Sequence, residues 1–179
     1  DLSIPANYVA KWNGVSWTDA GGGIVPTNVV NTPLRLSFLG PPGSQQLYLW
    51  EESGYQVWRR VAGAWEAVAV PPELYTLRSL AVHDDGGGST LYLAAGGIGI
   101  RKLVGTNWVS VLADDYDPKS IASFADAQGS FLYAAGLFAD LPGYDGTSQL
   151  RRWNGTSWSA PLGSAQRIAR VVGLGASPV

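Results

Sequence analysis

The chain reads as short apolar runs cut at close intervals by turn residues. LRLSFLG (34–40), LYLW (47–50), LRSLAVHDDG (77–86), LYLAAGG (91–97), IASFADAQG (121–129), LYAAG (132–136) and RIARVVGLG (167–175) are rich in Leu, Val, Ile, Tyr and Trp. Asn-Gly, Asp-Gly and Gly-Gly pairs separate many of them, which is the signal of strands joined by hairpins. Several runs, LYLAAGG above all, are apolar at consecutive positions. That pattern predicts strands covered on both faces. Asn13-Gly14 and Asn154-Gly155 suit type I′ turns, which need a positive φ at both central residues.

The pattern also repeats. Gly followed closely by Trp occurs as Gly14–Trp17, Gly63–Trp65, Gly105–Trp108 and Gly155–Trp158, with Trp-to-Trp spacings of 48, 43 and 50 residues. The preceding stretches are VAKWNG (9–14), WRRVAG (58–63), IRKLVG (100–105) and LRRWNG (150–155). Each carries a large apolar residue five before the Gly, a base three before it and a large apolar residue two before it. The LYLW, LYLAAGG and LYAAG runs form a second column, and the runs ahead of them a third. One Gly–Trp pair would mean little; several columns recurring in one order mark a structural repeat. Each unit of 40–50 residues holds about four antiparallel strands, the description of a propeller blade.

Composition narrows the chemistry. Of 179 residues only 15% are charged, too few for the solvated faces of a helical bundle. With no Cys there is no disulfide framework, thiolate zinc site or cysteine nucleophile, and a single His, His83, excludes a multi-His metal site. The formal net charge of −2 gives no pull toward nucleic acid. No apolar run is long enough for a membrane-spanning helix. The chain contains no Met and opens on Asp1, so it reads as a processed product, an excised piece or the ordered part of something longer.

The order of apolar strand, turn, apolar strand ending in Gly-Gly, then Trp after a turn resembles the Kelch-type blade. It is more similar still to the RWNGTSW-type propeller repeats of large exported or surface proteins of bacteria, and the likeness spans nearly the whole chain. The resemblance implies an all-β fold, a β-propeller segment of three full four-stranded blades with partial blades at both ends. Its boundaries are a partial blade at 1–22, blades at about 33–70, 75–114 and 119–163, and the start of another at 165–179. In that order the chain starts at a third strand and stops in a first strand, so fifteen strands are expected. The expectation is a segment of a larger propeller, or a chain whose ring another chain completes, in an extracellular, cell-surface or periplasmic setting.

Candidate sites follow from the columns. Lys11, Arg59, Arg60, Arg101, Lys102, Arg151 and Arg152 all fall on the third strand of their units and would form a basic arc. Such an arc could meet an acidic partner or anionic glycan; the reading preferred for long basic side chains is that the stems cover apolar surface while the heads reach water or pair with acids. Acidic residues gather in loops expected on one face. Among them Asp114, Asp115, Tyr116, Asp117, Asp140, Tyr144 and Asp145 are candidate partner-binding residues, since Tyr with Asp can hold sugar hydroxyls or supply oxygens to a cation. The segment 114–120 lacks the Gly turn and terminal Glu of an EF-hand loop, which makes it a solvated turn rather than a metal site. His83 is expected at a solvent-exposed strand end, with no G-x-S-x-G nucleophile to serve. Trp17, Trp65, Trp108 and Trp158 read as packing anchors between units. The functional expectation is a noncatalytic module contacting a protein or carbohydrate, with no cofactor or metal; the alternative is part of a propeller enzyme with catalytic residues in missing blades.

Overall fold

The repeat columns become sheets. The computed structural model describes residues 8–22, 24, 33–52, 55–112, 116–139, 142–143 and 145–165. These hold fourteen strands in four antiparallel sheets, with no helix among the described residues. Sheet 1 is the pair β1 (Ala10–Trp12) and β2 (Trp17–Asp19). Sheet 2 is β3 (Leu34–Leu39), β4 (Gln46–Glu51), β5 (Val57–Val61) and β6 (Ala64–Val68). Sheet 3 is β7 (Thr76–Asp84), β8 (Ser89–Gly96), β9 (Gly99–Val104) and β10 (Asn107–Leu112). Sheet 4 is β11 (Asp117–Asp126), β12 (Gly129–Leu137), β13 (Ser148–Trp153) and β14 (Gly163–Ala165). Strands are hydrogen-bonded in chain order within each sheet. The fifteenth expected strand, 167–175, lies outside the described residues.

The doubly apolar runs have a simple cause. Successive side chains of a strand point to opposite faces, and here both faces are cores. In β8, Leu91, Leu93 and Ala95 join a cluster with Tyr48, Trp50 and Val57 of sheet 2. The intervening Tyr92 and Ala94 join a cluster with Ile121, Leu132, Ala134 and Trp153 of sheet 4. In β4, Leu49 instead joins Trp58, Trp65 and Ile24, with Val9 packed alongside, at the junction with sheet 1. Three junctions therefore have three cores, and a fully buried Leu contributes about 1.5–3 kcal/mol. β7, the first strand of sheet 3, also touches the first strands of sheets 2 and 4, β11 most extensively.

Turn chemistry differs from the expectation at the Asn-Gly pairs. Gly14 and Gly155 have positive φ, 101° and 97°, but Asn13 and Asn154 do not, so neither turn is type I′. Instead, the Asn13 Oδ1 accepts the N–H groups of Val15 and Ser16, both at 2.8 Å. Asn154 does the same for Thr156 and Ser157 at 3.0 and 2.8 Å. The side chain thus closes a wider four-residue loop, as Asn does when its amide mimics a backbone turn. A two-residue turn with both φ positive occurs at Ala62-Gly63, between the paired Val61 and Ala64.

The fourth strand of sheet 4 is also interrupted. Trp158 bridges Trp153 as the Gly–Trp column requires, yet β14 begins only at Gly163. Pro161 falls in between and has no N–H for a ladder. β14 then runs to Ala165, beyond the expected limit of that unit at 163.

Candidate functional site

The junction of sheets 3 and 4 concentrates the polar chemistry. β7 and β11 lie side by side there, and each carries a bulge, because Arg78 and Lys119 are extra residues without a partner in the register. Both bulged bases turn to one acid: the Arg78 Nη2 lies 3.1 Å from the Asp117 Oδ1, and the Lys119 Nζ pairs with the Asp117 Oδ2. Opposite the second bulge stands Gly136. A Cβ there would lie 2.5 Å from the Asp117 carbonyl oxygen and 2.7 Å from the Pro118 Cα, so the bulge needs that glycine. Along the same two strands, the Ser79 Oγ donates to the Ile121 carbonyl and accepts the Ile121 N–H, both at 3.2 Å.

His83 is at the far end of β7. It is 1% exposed, where a solvated strand end was expected. Its Nδ1 lies 3.0 Å from the Ser123 Oγ of β11, and its ring meets the Tyr92 ring edge-on at 5.8 Å. The sheet 4 strand covers it, which strand alternation within sheet 3 alone does not reveal. Burial lowers the His83 pKa, against the pull of Asp85 and Asp84, so the ring is neutral near pH 7. Its Nε2 is buried without a hydrogen-bond partner. The pair therefore lacks the orienting third group that a serine nucleophile and its base use.

Next to it, Asp85 accepts two bonds from the Lys102 Nζ, at 2.6 and 2.7 Å, and one from the Tyr92 hydroxyl at 2.7 Å. Burial alone would raise the Asp85 carboxyl, but the Lys102 and Tyr92 hydrogen bonds outweigh it and hold it below the ordinary carboxylate value. Burial and the neighbouring Asp85 raise the Tyr92 phenol. The turn at Gly155 from sheet 4 rests on the Asp85 backbone, where an added Cβ would lie 2.8 Å from the Asp85 carbonyl oxygen.

The basic column sits on β1, β5, β9 and β13 and is largely engaged inside the chain. Lys11 is exposed on β1. Arg59 pairs with Glu66 at 3.3 Å, both half-exposed. Arg60 donates to the Ala20 carbonyl at 2.6 Å and lies over the Trp65 ring. Lys102 is held by Asp85, and half-buried Arg101 follows Ile100 on the same strand. Arg152 donates to Gln128 at 2.8 Å and lies over the Phe131 ring at 4.3 Å. Arg151 is 1% exposed and cannot face a partner. Its guanidinium donates to the Gln149 side chain and to the Ser159 and Pro142 carbonyls at 2.7–3.0 Å, with Phe138 beside it. It ties the loop after β12 to the irregular stretch before β14.

The acidic candidates divide. Asp114, Asp115, Asp140 and Tyr144 lie outside the described residues. Tyr116 was expected on an exposed loop but is 9% exposed, and its ring packs against Phe138 in the core between sheets 3 and 4. Asp117 opens β11 and is occupied by Arg78 and Lys119. Asp145 is exposed; its Oδ1 accepts the N–H and hydroxyl of Thr147, which lower its pKa. The bulge bases were not singled out from sequence, yet a column was there to read: Arg35, Arg78 and Lys119 occupy the second position of LRLSFL, LRSLAV and PKSIAS.

One cleft lies between sheets 2 and 3. It encloses about 350 Å³, with Leu39, Val68, Val82, Leu91 and Leu103 among its walls and Tyr48, Arg59 and Thr90 at polar positions. No group of three or more candidate metal-ligating side chains occurs among the described residues, and no helix there is long and apolar enough to cross a membrane. No family model, curated protein or solved structure matches the chain.

Proposed function

We propose that the chain is a run of Kelch-like β-propeller blades acting as a noncatalytic interaction module within a larger exported assembly of bacterial origin. One observation carries the reading: the same contact joins every pair of consecutive sheets. The Trp65 indole N–H donates to the Ala20 carbonyl at 2.6 Å, that of Trp108 to Ala69 at 2.8 Å, and that of Trp158 to Val111 at 2.8 Å. Each donor is on the Gly–Trp column of one unit, and each acceptor lies three or four residues past the same column of the unit before. With the first strands of sheets 2, 3 and 4 adjacent at the other edge, this repeated contact supports reading the sheets as radially stacked blades.

Arg60 to the Ala20 carbonyl and Arg78 to Asp117 are charged contacts that cross between sheets, while Arg59, Lys102, Lys119 and Arg151 are engaged within their own sheets; bases engaged inside the chain support a scaffold role. The remaining partner surface is the loop face around Asp145, for a protein or a carbohydrate. The test is a glycan array probed with the purified chain, repeated with Asp145→Ala. Specific binding that the variant loses supports the reading. Turnover of a bound glycan overturns the noncatalytic assignment, and retention of all binding by the variant overturns the loop face.

A further inference from the structure

Three indoles on the Gly–Trp column reach a carbonyl of the preceding sheet. Trp17 occupies the same column in sheet 1, and no sheet precedes it among the described residues. Its ring is 51% exposed, against 6% for Trp65. Trp17 also has an aromatic neighbour, Trp12, with ring centroids 5.5 Å apart and planes tilted at 48°. That pair is duplicated in sheet 4, where Trp153 and Trp158 lie 5.5 Å apart at 42°. There the pair packs into the core shared with sheet 3, and Trp153 is 9% exposed. Trp12, by contrast, is 49% exposed. The two aromatic pairs have one geometry; one is covered by a neighbouring sheet and the other is half-exposed. Two half-exposed indoles in contact form an apolar patch of the sort that marks an interaction surface.

The chain also carries the complement. In sheets 1, 2 and 3 the accepting carbonyl lies three or four residues beyond the column Trp, at Ala20, Ala69 and Val111. In sheet 4 that place falls on Pro161 and Leu162, and Leu162 is 49% exposed. The last described sheet thus offers at its trailing side what the first lacks at its leading side.

We propose that the Trp12–Trp17 face of sheet 1 is the seat for the Pro161–Leu162 side of sheet 4 from a second copy of this chain. The inference rests on the reading of the sheets as stacked blades, and it extends the stack from one chain to the next. Such an interface is heterologous, head to tail, so it yields a ring where the rotation closes and a filament where it does not. Trp17 is its anchor and supplies the indole N–H that the three internal junctions use.

Sedimentation velocity over a wide range of concentrations tests this with the full chain. Wild type is expected to associate, with a blue shift of Trp emission as Trp12 and Trp17 lose water. Trp17→Ala blocks the leading face and Leu162→Arg the trailing one. Each is expected to weaken self-association about thirtyfold or more, the loss typical of a buried anchor. Mixed together, the two variants are expected to form a one-to-one dimer, since each keeps the half the other lacks. Circular dichroism confirms that both remain folded, and Trp17→Phe, which keeps a ring and loses the donor, gives an intermediate loss. Wild type that stays monomeric throughout overturns the proposal. So does Leu162→Arg associating like wild type, which would mean that the Trp12–Trp17 face pairs with itself, or a mixture that fails to dimerise. None of these outcomes touches the blade reading, which the internal column tryptophans test separately.

Discussion

At the residue scale, the Gly–Trp column works through two atoms, an indole N–H and a glycine without a Cβ. The indole of Trp158 reaches a carbonyl at a bulge, because Val111 is skipped in the register between β9 and β10. Trp158→Phe keeps a six-membered ring and removes the donor with the rest of the indole, so it is expected to cost about 1 kcal/mol for the hydrogen bond on top of the lost packing. Trp65→Phe leaves the Ala20 carbonyl with the Arg60 guanidinium, so its loss is expected to come mainly from packing of the buried ring. Urea denaturation of Trp158→Phe checks this; an unchanged stability would mean that the indole bond does not join the sheets. The glycine is separable too. Gly155 and Gly14 share a turn and a positive φ, but an added Cβ meets Asp85 at Gly155 and nothing within 4 Å at Gly14. Gly14→Ala is expected to cost only its φ penalty, and Gly155→Ala about 1–3 kcal/mol more, the range for a forced overlap. The column was legible in the sequence because it recurs. What each copy touches was not, since the acceptors at Ala20, Ala69 and Val111 are backbone atoms of the previous unit and leave no residue signature.

At the scale of elements, β7 and β11 show where strand reasoning stops. Their lengths and order are readable from the apolar runs, and so is the pairing of β7 with β8. The fate of His83 is not, because it depends on a strand some 40 residues away in sequence that supplies Ser123. In the fold, Asp85 faces Lys102 and Tyr92, and His83 is enclosed. Two of the acidic-loop candidates went the same way: Tyr116 fills the core behind Phe138, and Asp117 became the first residue of a strand pinned by two bulge bases. The buried imidazole has a consequence for pH. Its folded pKa lies below the value of about 6.5 that it takes in an unfolded chain. The unfolded state therefore binds the proton first, and stability is full above pH 6.5 and falls as pH drops below it. As the only His of the chain, it is expected to account for the decline just below pH 6.5, ahead of carboxylate titration. Chemical denaturation at steps from pH 7.5 to 5.5 checks this. His83→Asn, uncharged throughout, is expected to flatten the slope; an unchanged slope would place the proton elsewhere.

At the scale of the whole molecule, stability is distributed along a line of junctions. Each sheet packs chiefly on its neighbours in chain order, so the chain behaves as a short repeat array, in which nearest-neighbour interfaces set local stability. Sheet 3 has a core on both faces, and in β8 the residues from Leu91 to Ala95 are all buried. Among the described residues, sheet 1 has one junction and two strands whose residues are all exposed. Opening free energies within a protein follow such differences in burial. Amide exchange is therefore expected to be slowest in β8 and β9, intermediate in β4 and β12, and fastest in β1 and β2, each measured at low protein concentration. Raising the concentration adds a neighbour at the Trp12–Trp17 face, so protection in β2 is expected to rise while that in β8 stays constant. Uniform protection across all four sheets would show that the chain opens as one unit, and the description by separate junctions would then be wrong.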